Sequence, residues 1–279
     1  MTIKMIASDM DGTFLNEKGV YNREKFISIL NQLDAIGIHF VVASGNNMDR
    51  LNMIFKGLTD RMSFVAENGA HIVEEGKDLK RHVLDQKDVD LFLDYFRDDL
   101  AKNAVILSGK KQSYMHENAK LPEAFAIEPE QFKQFFSKIK LIDDFSKVGQ
   151  EPILKISMML PVDECDHVIE SFNKEFKGNL TAVTSGFGAV DIIQTGIHKA
   201  WGLSLLMEKY GISSDQVMAF GDGGNDIEML QLAEYSYAME NAPEVVKKAA
   251  KFIAPHHKHE GVLQTLETFL ADIAREIES

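Results

Sequence analysis

The run Ile6-Ala7-Ser8-Asp9-Met10-Asp11-Gly12-Thr13-Phe14-Leu15 decides how this chain is read. Residues 3–7 are mostly apolar and predict a short buried strand. Asp9 and Asp11 follow, two residues apart, and then Gly12. On an extended chain, positions i and i+2 point the same way, so both carboxylates leave the strand toward one point. Gly12 lets the backbone turn sharply there. The carboxyl ends of strands are where open α/β sheets hold their ligands.

Two like charges at that spacing repel and need a compensating cation. Aspartate oxygens suit Mg²⁺. A calcium loop of the EF-hand type does not fit. Counted from Asp9, the glycine falls at position 4 instead of 6, and Val20 stands at position 12 where glutamate is required. A turn with two solvated aspartates fits the bare Asp-x-Asp-Gly tetrapeptide as well.

The chain has 279 residues, enough for one large domain or two ordinary ones. At 45% hydrophobic and 26% charged, its composition is that of an ordinary globular protein. A net charge of −13 argues against a general nucleic-acid or anionic-membrane binder, which needs a basic face. The one cysteine, Cys165, excludes an intrachain disulfide. No apolar run approaches membrane-spanning length, and the N-terminus leads into a strand without a signal-like leader. The expected compartment is therefore the cytoplasm.

Residues 22–36 read as an amphipathic helix with Phe26, Ile29, Leu30, Leu33 and Ile36 on one face. Residues 38–43 follow as a second buried strand, which makes a βαβ unit and a parallel sheet. That strand ends in Ser44-Gly45-Asn46-Asn47 before a helix at about 47–57. A hydroxyl and a free backbone N–H at this point can hold a phosphate oxygen, or Ser44 or Asn46 can serve as a plain helix cap. Residues 63–66 are a short strand ahead of Glu67-Asn68-Gly69-Ala70, where Asn-Gly signals a turn and Asn68 reads as mainly structural. Residues 71–74 and 79–83 suit a hairpin.

From about residue 84 the texture changes. Helices at 87–101, 121–137 and 163–176 mix with strands at 103–108, 112–116, 153–160, 181–184 and 189–193. Such mixing without βα alternation suggests a separate α+β unit. The first pattern then resumes. Lys199 opens a helix at about 200–210, an end that favours anions, so a lysine there is unusual. A strand at 216–220 leads into Gly221-Asp222-Gly223-Gly224-Asn225-Asp226, a glycine-rich loop with two acids and an amide. It has no P-loop lysine, and Ala233 breaks an EF-hand count. A strand at 235–239, helices at 243–250 and 260–275 and a strand at 252–254 complete the chain. The last loop carries His256, His257, His259 and Glu260; such clusters are conceivable metal sites but are usually solvated.

The four segments Asp9–Leu15, Ser44-Gly45, Lys199 and Gly221–Leu230 occur in an order that resembles the motifs of the haloacid dehalogenase (HAD) superfamily. The likeness covers essentially the whole chain. It is closest to the Cof-type, class IIB branch with an α/β cap, and the Val-Ala-Ser-Gly-Asn and Val-Thr-Ser-Gly-Phe-Gly runs are similar to those of a bacterial sugar phosphatase. Asn46 and Ala200 depart from the arginine and glycine many members carry; the role of Asn46 stays open.

The resemblance implies a Rossmann-like, doubly wound parallel sheet core at 1–83 and 189–279, with an inserted α+β cap at 84–188. It implies a phosphatase that hydrolyses small phosphorylated metabolites, sugar phosphates foremost, through an aspartyl phosphate. By the same likeness Asp9 is the nucleophile and Asp11 the general acid and base. Ser44, Gly45, Lys199 and Asn225 hold the phosphoryl group. Mg²⁺ is held by Asp9, the Asp11 backbone carbonyl and Asp222, while Asp226 orients a metal-bound water or Lys199. The cap chooses the sugar, with Tyr114, His116 and the turn at 186–188 as candidates. A phosphotransferase or mutase using the same intermediate, or a non-catalytic phosphosugar-binding protein, are the alternatives.

Overall fold

A computed structural model describes residues 3–121, 137–186 and 188–278. The helix expected at 121–137 thus lies almost entirely outside the described residues. The chain divides into two units, residues 1–79 with 199–279 and residues 80–198.

The first unit is built on a sheet whose strand order is β14-β13-β12-β1-β2-β3-β4-β5. Its strands are β1 (Met5–Ser8), β2 (His39–Ala43), β3 (Ser63–Ala66), β4 (His71–Glu74), β5 (Lys77–Arg81), β12 (Val217–Gly221), β13 (Tyr235–Met239) and β14 (Phe252–Ala254). From β14 to β3 every neighbouring pair is parallel; β4 then runs antiparallel to β3. Central parallel strands need both faces covered, and their side chains alternate between the two. Ile6, Phe40, Val42, Phe64 and Phe220 pack on one face with Phe26, Ile29, Leu30 and Leu33 of α1 (Arg23–Ala35) and with Leu263 and Leu266 of α8 (Gly261–Glu278). Met5, Ala7, Val41, Val65 and Ala219 meet Leu203 and Leu206 of α5 (Lys199–Tyr210) and Met229 and Leu230 of α6 (Ile227–Leu232) on the other. This is the doubly wound arrangement. The first helix stops one residue earlier than its apolar spacing suggests: Ile36 is its C-cap and is exposed. The helix expected at 47–57 is only α2 (Met48–Ile54), capped by the Asn47 side chain on the Arg50 N–H.

The second unit carries a sheet of order β10-β11-β9-β6-β7-β8. Its members are β6 (Ile106–Gly109), β7 (Ser113–His116), β8 (Ile139–Ile142), β9 (Ile153–Met159), β10 (Leu180–Gly186) and β11 (Ala189–Gln194). Helices α3 (Gln86–Tyr95) and α4 (Val162–Glu175) bring Phe92 and Phe172 onto one face, where Leu107, Ile156, Met158 and Ile192 are buried. Cys165 sits in the same cluster. The β8 strand was not foreseen: its four residues alternate too briefly to stand out. The division falls at 79/80 and 198/199, where the sequence reading has 83/84 and 188/189. The second difference comes from β11, which pairs antiparallel with both β10 and β9 and so belongs to the second sheet. Strand partners are a tertiary choice that an apolar run does not encode.

Among the described residues, no helix is long and apolar enough to cross a membrane. Phe26 is fully buried and lies edge-on to Phe14, Tyr21 and Phe40. Truncating such a side chain costs about 3–5 kcal/mol. The Phe26→Ala variant is expected to lose stability of that order in urea titration, with the first unit's transition displaced.

Candidate active site

Three parallel strands end level with one another. Ser8 of β1 is opposite Val42 of β2 and Phe220 of β12. The next residues therefore emerge side by side: Asp9 after β1, and Ser44 and Asp222 one residue past Ala43 and Gly221. The Asp9 N–H still donates to Phe220 O (3.0 Å), and the Ser44 N–H to Val65 O (2.9 Å). The strand order reverses between β1 and β12, and ligands bind at such switch points.

Lys199, the first residue of α5, is fully buried. Its ammonium donates to Asp9 Oδ1 (2.6 Å) and to Asp226 Oδ1 (2.7 Å). Burial opposes the charge on Lys199, but the adjacent Asp226 and Asp9 carboxylates outweigh it and hold the ammonium above its usual range. The other oxygen of Asp226 accepts from the backbone N–H groups of Asp222 and Gly223, both at 2.9 Å. Asp226 is thus engaged on both oxygens.

Asp222 is held from two sides. Its Oδ1 accepts from Thr13 Oγ1 (2.7 Å), and its Oδ2 from Asn241 Nδ2 (3.3 Å), which also donates to Gly12 O (2.8 Å). Gly12 has φ +84°, and a Cβ there would lie 2.3 Å from Asp222 Oδ2. Only glycine fits both the backbone and the neighbour. Asp9, Asp222 and Asp226 each place a carboxylate oxygen within 4.8 Å of the others. Burial first, and then the charge of Asp226, pushes the Asp222 carboxyl up to about 7. Burial and then Asp226 also drive Asp9 well above the ordinary carboxylate range, against the pull of Lys199. One ammonium against three crowded carboxylates leaves negative charge over, and hard oxygen donors in that state fit a divalent metal ion.

Asp11 stands apart from this cluster and is partly exposed. Its Oδ2 accepts from Asn46 Nδ2 (2.5 Å) and its Oδ1 from Arg50 Nη2 (2.8 Å). Asn46 also donates its backbone and side-chain N–H groups to Ser44 Oγ, at 3.1 and 3.0 Å. Both bonds are accepted by Ser44, so its own hydrogen remains for a ligand oxygen. Gly45 lies between these two residues. Asn225 is buried and donates to Asn68 Oδ1 (2.9 Å). Glu67 and Asn68 both take the left-handed conformation, φ 51° and 54°. Their N–H groups bond Asn46 O and Ser44 O, both at 3.0 Å. Two such residues in succession are costly, and sites of function are where such strain collects.

In the first unit Asp9, Asp222, Asp226 and Lys199 thus form one cluster, while Asp11 is tied through Asn46 to Ser44, and Asn225 pairs with Asn68. The candidates for choosing the sugar belong to the second unit. Tyr114 is a packing residue of the second unit's apolar cluster, with the Lys140 ammonium 5.9 Å from its ring centre. His116 lines a cavity of about 590 Å³ in that unit, beside Asp143 and Phe145. Phe187 of the expected turn is outside the described residues. The histidine loop is not simply solvated: His257 is buried, with Nδ1 2.8 Å from Leu15 O. Thr13, Arg50 and Asn241 were missed. Asn241 follows β13, the next parallel strand, so the rule that led to Asp222 reaches it too.

The profile of haloacid dehalogenase-like hydrolases matches residues 6–266. The chain is 37% identical over 272 residues to the Escherichia coli 5-amino-6-(5-phospho-D-ribitylamino)uracil phosphatase YbjI, covering 97% of each chain. It is 27% identical to YwtE of Bacillus subtilis, a phosphatase of the same name, over 96% of this chain and 99% of that one. Among solved structures, SMU.1108c of Streptococcus mutans superposes with a TM-score of 0.86 at 36% identity, covering 96% and 99%. The HAD subclass IIB sugar phosphatase BT4131 shares the fold, with a TM-score of 0.76 at 20% identity over 95% and 98%. The motifs, the sheet order and these likenesses agree: the chain belongs to the haloacid dehalogenase-like hydrolase family and is one of its phosphatases.

Proposed function

We propose that the protein is a Mg²⁺-dependent phosphomonoesterase of the cytoplasm that hydrolyses small phosphorylated metabolites, sugar phosphates above all, through an aspartyl phosphate. The observation that carries this reading is the buried Lys199 joined to Asp9, with Asp222 within reach of the same point. The relatives named for a phosphorylated ribityl compound support a polyol-like substrate.

In this reading Asp9, Asp222 and the Asp11 backbone carbonyl hold Mg²⁺. When bound, the ion offsets the repulsion between the phosphate dianion and the acidic cluster. Ser44 O–H, Gly45 N–H, Lys199 and Asn225 hold the phosphoryl oxygens, and Asn68 steadies Asn225. Positioning and charge compensation supply most of the rate in reactions of this kind. An Asp9 oxygen attacks phosphorus and the ester P–O bond breaks, leaving an acyl phosphate on Asp9. Asp11 gives its proton to the departing alkoxide. It then takes one from the water that cleaves the acyl phosphate and returns Asp9 as a carboxylate. Lys199 opposes the burial and the Asp226 charge that raise Asp9 and holds one Asp9 oxygen in place, and Asp226 keeps Lys199 charged.

Release of free phosphate from a panel of phosphosugars, with the ribitylaminouracil phosphate included, tests the reaction and ranks substrates. Transfer to a sugar acceptor instead would mark a phosphotransferase. The Asp9→Asn variant is expected to lose at least about 10³-fold in kcat while its circular dichroism and melting stay near wild type. Wild-type turnover in that variant would remove the nucleophile.

The metal reading has its own test. Because the Asp222 carboxyl is raised to about 7, the metal-free folded state holds a proton that the unfolded state releases near the ordinary value. Metal-free stability therefore falls as pH rises between the two values. Metal must displace that proton at low pH and finds the site ionised at high pH. The gain in Tm on adding Mg²⁺ over EDTA is expected to be clearly larger at pH 8 than at pH 5.5. An equal gain at both would count against carboxylate ligation.

A further inference from the structure

Arg50 is a charged group at the site that the reaction outlined above does not use. It belongs to the first turn of α2, and its side chain is about four-fifths buried. It ends on Asp11 Oδ1, while the Asn46 amide ends on Asp11 Oδ2. Each oxygen of one carboxylate thus meets its own donor. Asp11 lies on a loop, and a free aspartate side chain there would turn about two bonds among several rotamers. Two donors on opposite oxygens fix both the rotamer and the plane.

The donors are themselves anchored. Asn46 is tied to Ser44 Oγ through its backbone and its side chain, and the Glu67 N–H bonds Asn46 O at 3.0 Å. The Arg50 backbone N–H is capped by Asn47 Oδ1 (3.0 Å). The segment that presents Ser44 therefore also grips Asp11, so the two are held in fixed relation. The charge balance points the same way. The Lys199 ammonium is shared by Asp9 and Asp226, so Arg50 is the cation that meets Asp11.

We propose that Arg50 is a positioning residue for phosphoryl transfer: with Asn46 it aims the Asp11 carboxyl at the leaving oxygen of the substrate. The proposal rests on the reading of Asp11 as general acid. Misplacing a reacting group by about 1 Å costs on the order of 100-fold in rate. An ion pair that served only the fold would leave the relative rates on different leaving groups unchanged.

Leaving groups separate these roles. An alkoxide needs the proton of the general acid; p-nitrophenolate does not. The value of kcat/KM reports the steps through cleavage of the ester bond, before water attack. It is measured for a hexose 6-phosphate and for p-nitrophenyl phosphate with Arg50→Gln, Arg50→Lys and Asp11→Asn. For Arg50→Gln we expect a fall of about 10- to 100-fold on the sugar phosphate and less than about threefold on p-nitrophenyl phosphate. Arg50→Lys, which keeps a charged donor, should recover part of the loss on the sugar phosphate only. Equal losses on both substrates with a raised KM would overturn the proposal, because Arg50 would then bind the phosphoryl group itself. Unchanged values on both would overturn it too. If Asp11→Asn separates the two substrates and Arg50→Gln does not, the proposal alone falls. If Asp11→Asn fails to separate them, the general-acid reading falls and takes the proposal with it.

Discussion

A single buried ammonium organises this protein. Lys199 lies wholly out of water, and an uncompensated cation there would be prohibitively costly. It is tolerable because Asp9 and Asp226 accept its protons at hydrogen-bond length. Those two aspartates come from opposite ends of the chain, so the ion pairs form only when β1, α5 and the loop after β12 are all in place. The pairing works both ways. The same lysine that needs two anions also allows carboxylates to be packed more closely than they would be alone. A fold stabilised mainly by apolar layers on both sides of its sheet thus holds a polar centre that would be unstable in isolation.

The rest of the site is a set of supports around that centre. Asp226 spends one oxygen on Lys199 and the other on two backbone N–H groups, which curls the loop that presents Asp222. Thr13 and Asn241 hold Asp222, and the absent side chain of Gly12 makes room for it. Glu67 and Asn68 accept a strained backbone, and the reward is a second layer of bonds to the Ser44 segment and a partner for Asn225. Few of these groups look important one at a time. Their effect is that the clustered carboxylates have little freedom left to lose on binding a ligand.

Much of this was legible from residue order. Asp9, Lys199 and Asp222 could be named together because their motifs resemble those of the family, each at a predicted strand end or helix start. The helices α1 and α3 were visible because their apolar residues recur at helical spacing. What was not legible depends on contacts between segments. The edge of the second unit was misjudged because β11 chooses β9 and β10 as partners, and nothing in Ala189–Gln194 names a partner. Tyr114 was a candidate for choosing the sugar, yet its side chain is buried in the second unit's apolar cluster. Asn46 looked like a lost cation. Its amide instead faces Asp11, and the cation arrives from four residues later, one helical turn on, where no motif would direct the eye.

The central strand β1 carries a consequence for how the molecule comes into being. Its partner β12 lies more than two hundred positions downstream, as the Thr13 to Asp222 bond shows. A ribosome delivering the polypeptide from its amino end makes β1 and β2 early and must wait for nearly the whole remainder before β12 appears. Throughout that interval one edge of β1 has no strand beside it. The long separation makes ring closure entropically slow, and the waiting edge is open to pairing with a neighbouring nascent copy. The second unit, contiguous in sequence and closed on itself, can meanwhile complete its own folding. The ion pairs that join Asp9, Lys199 and Asp226 therefore cannot form until those downstream residues have been made.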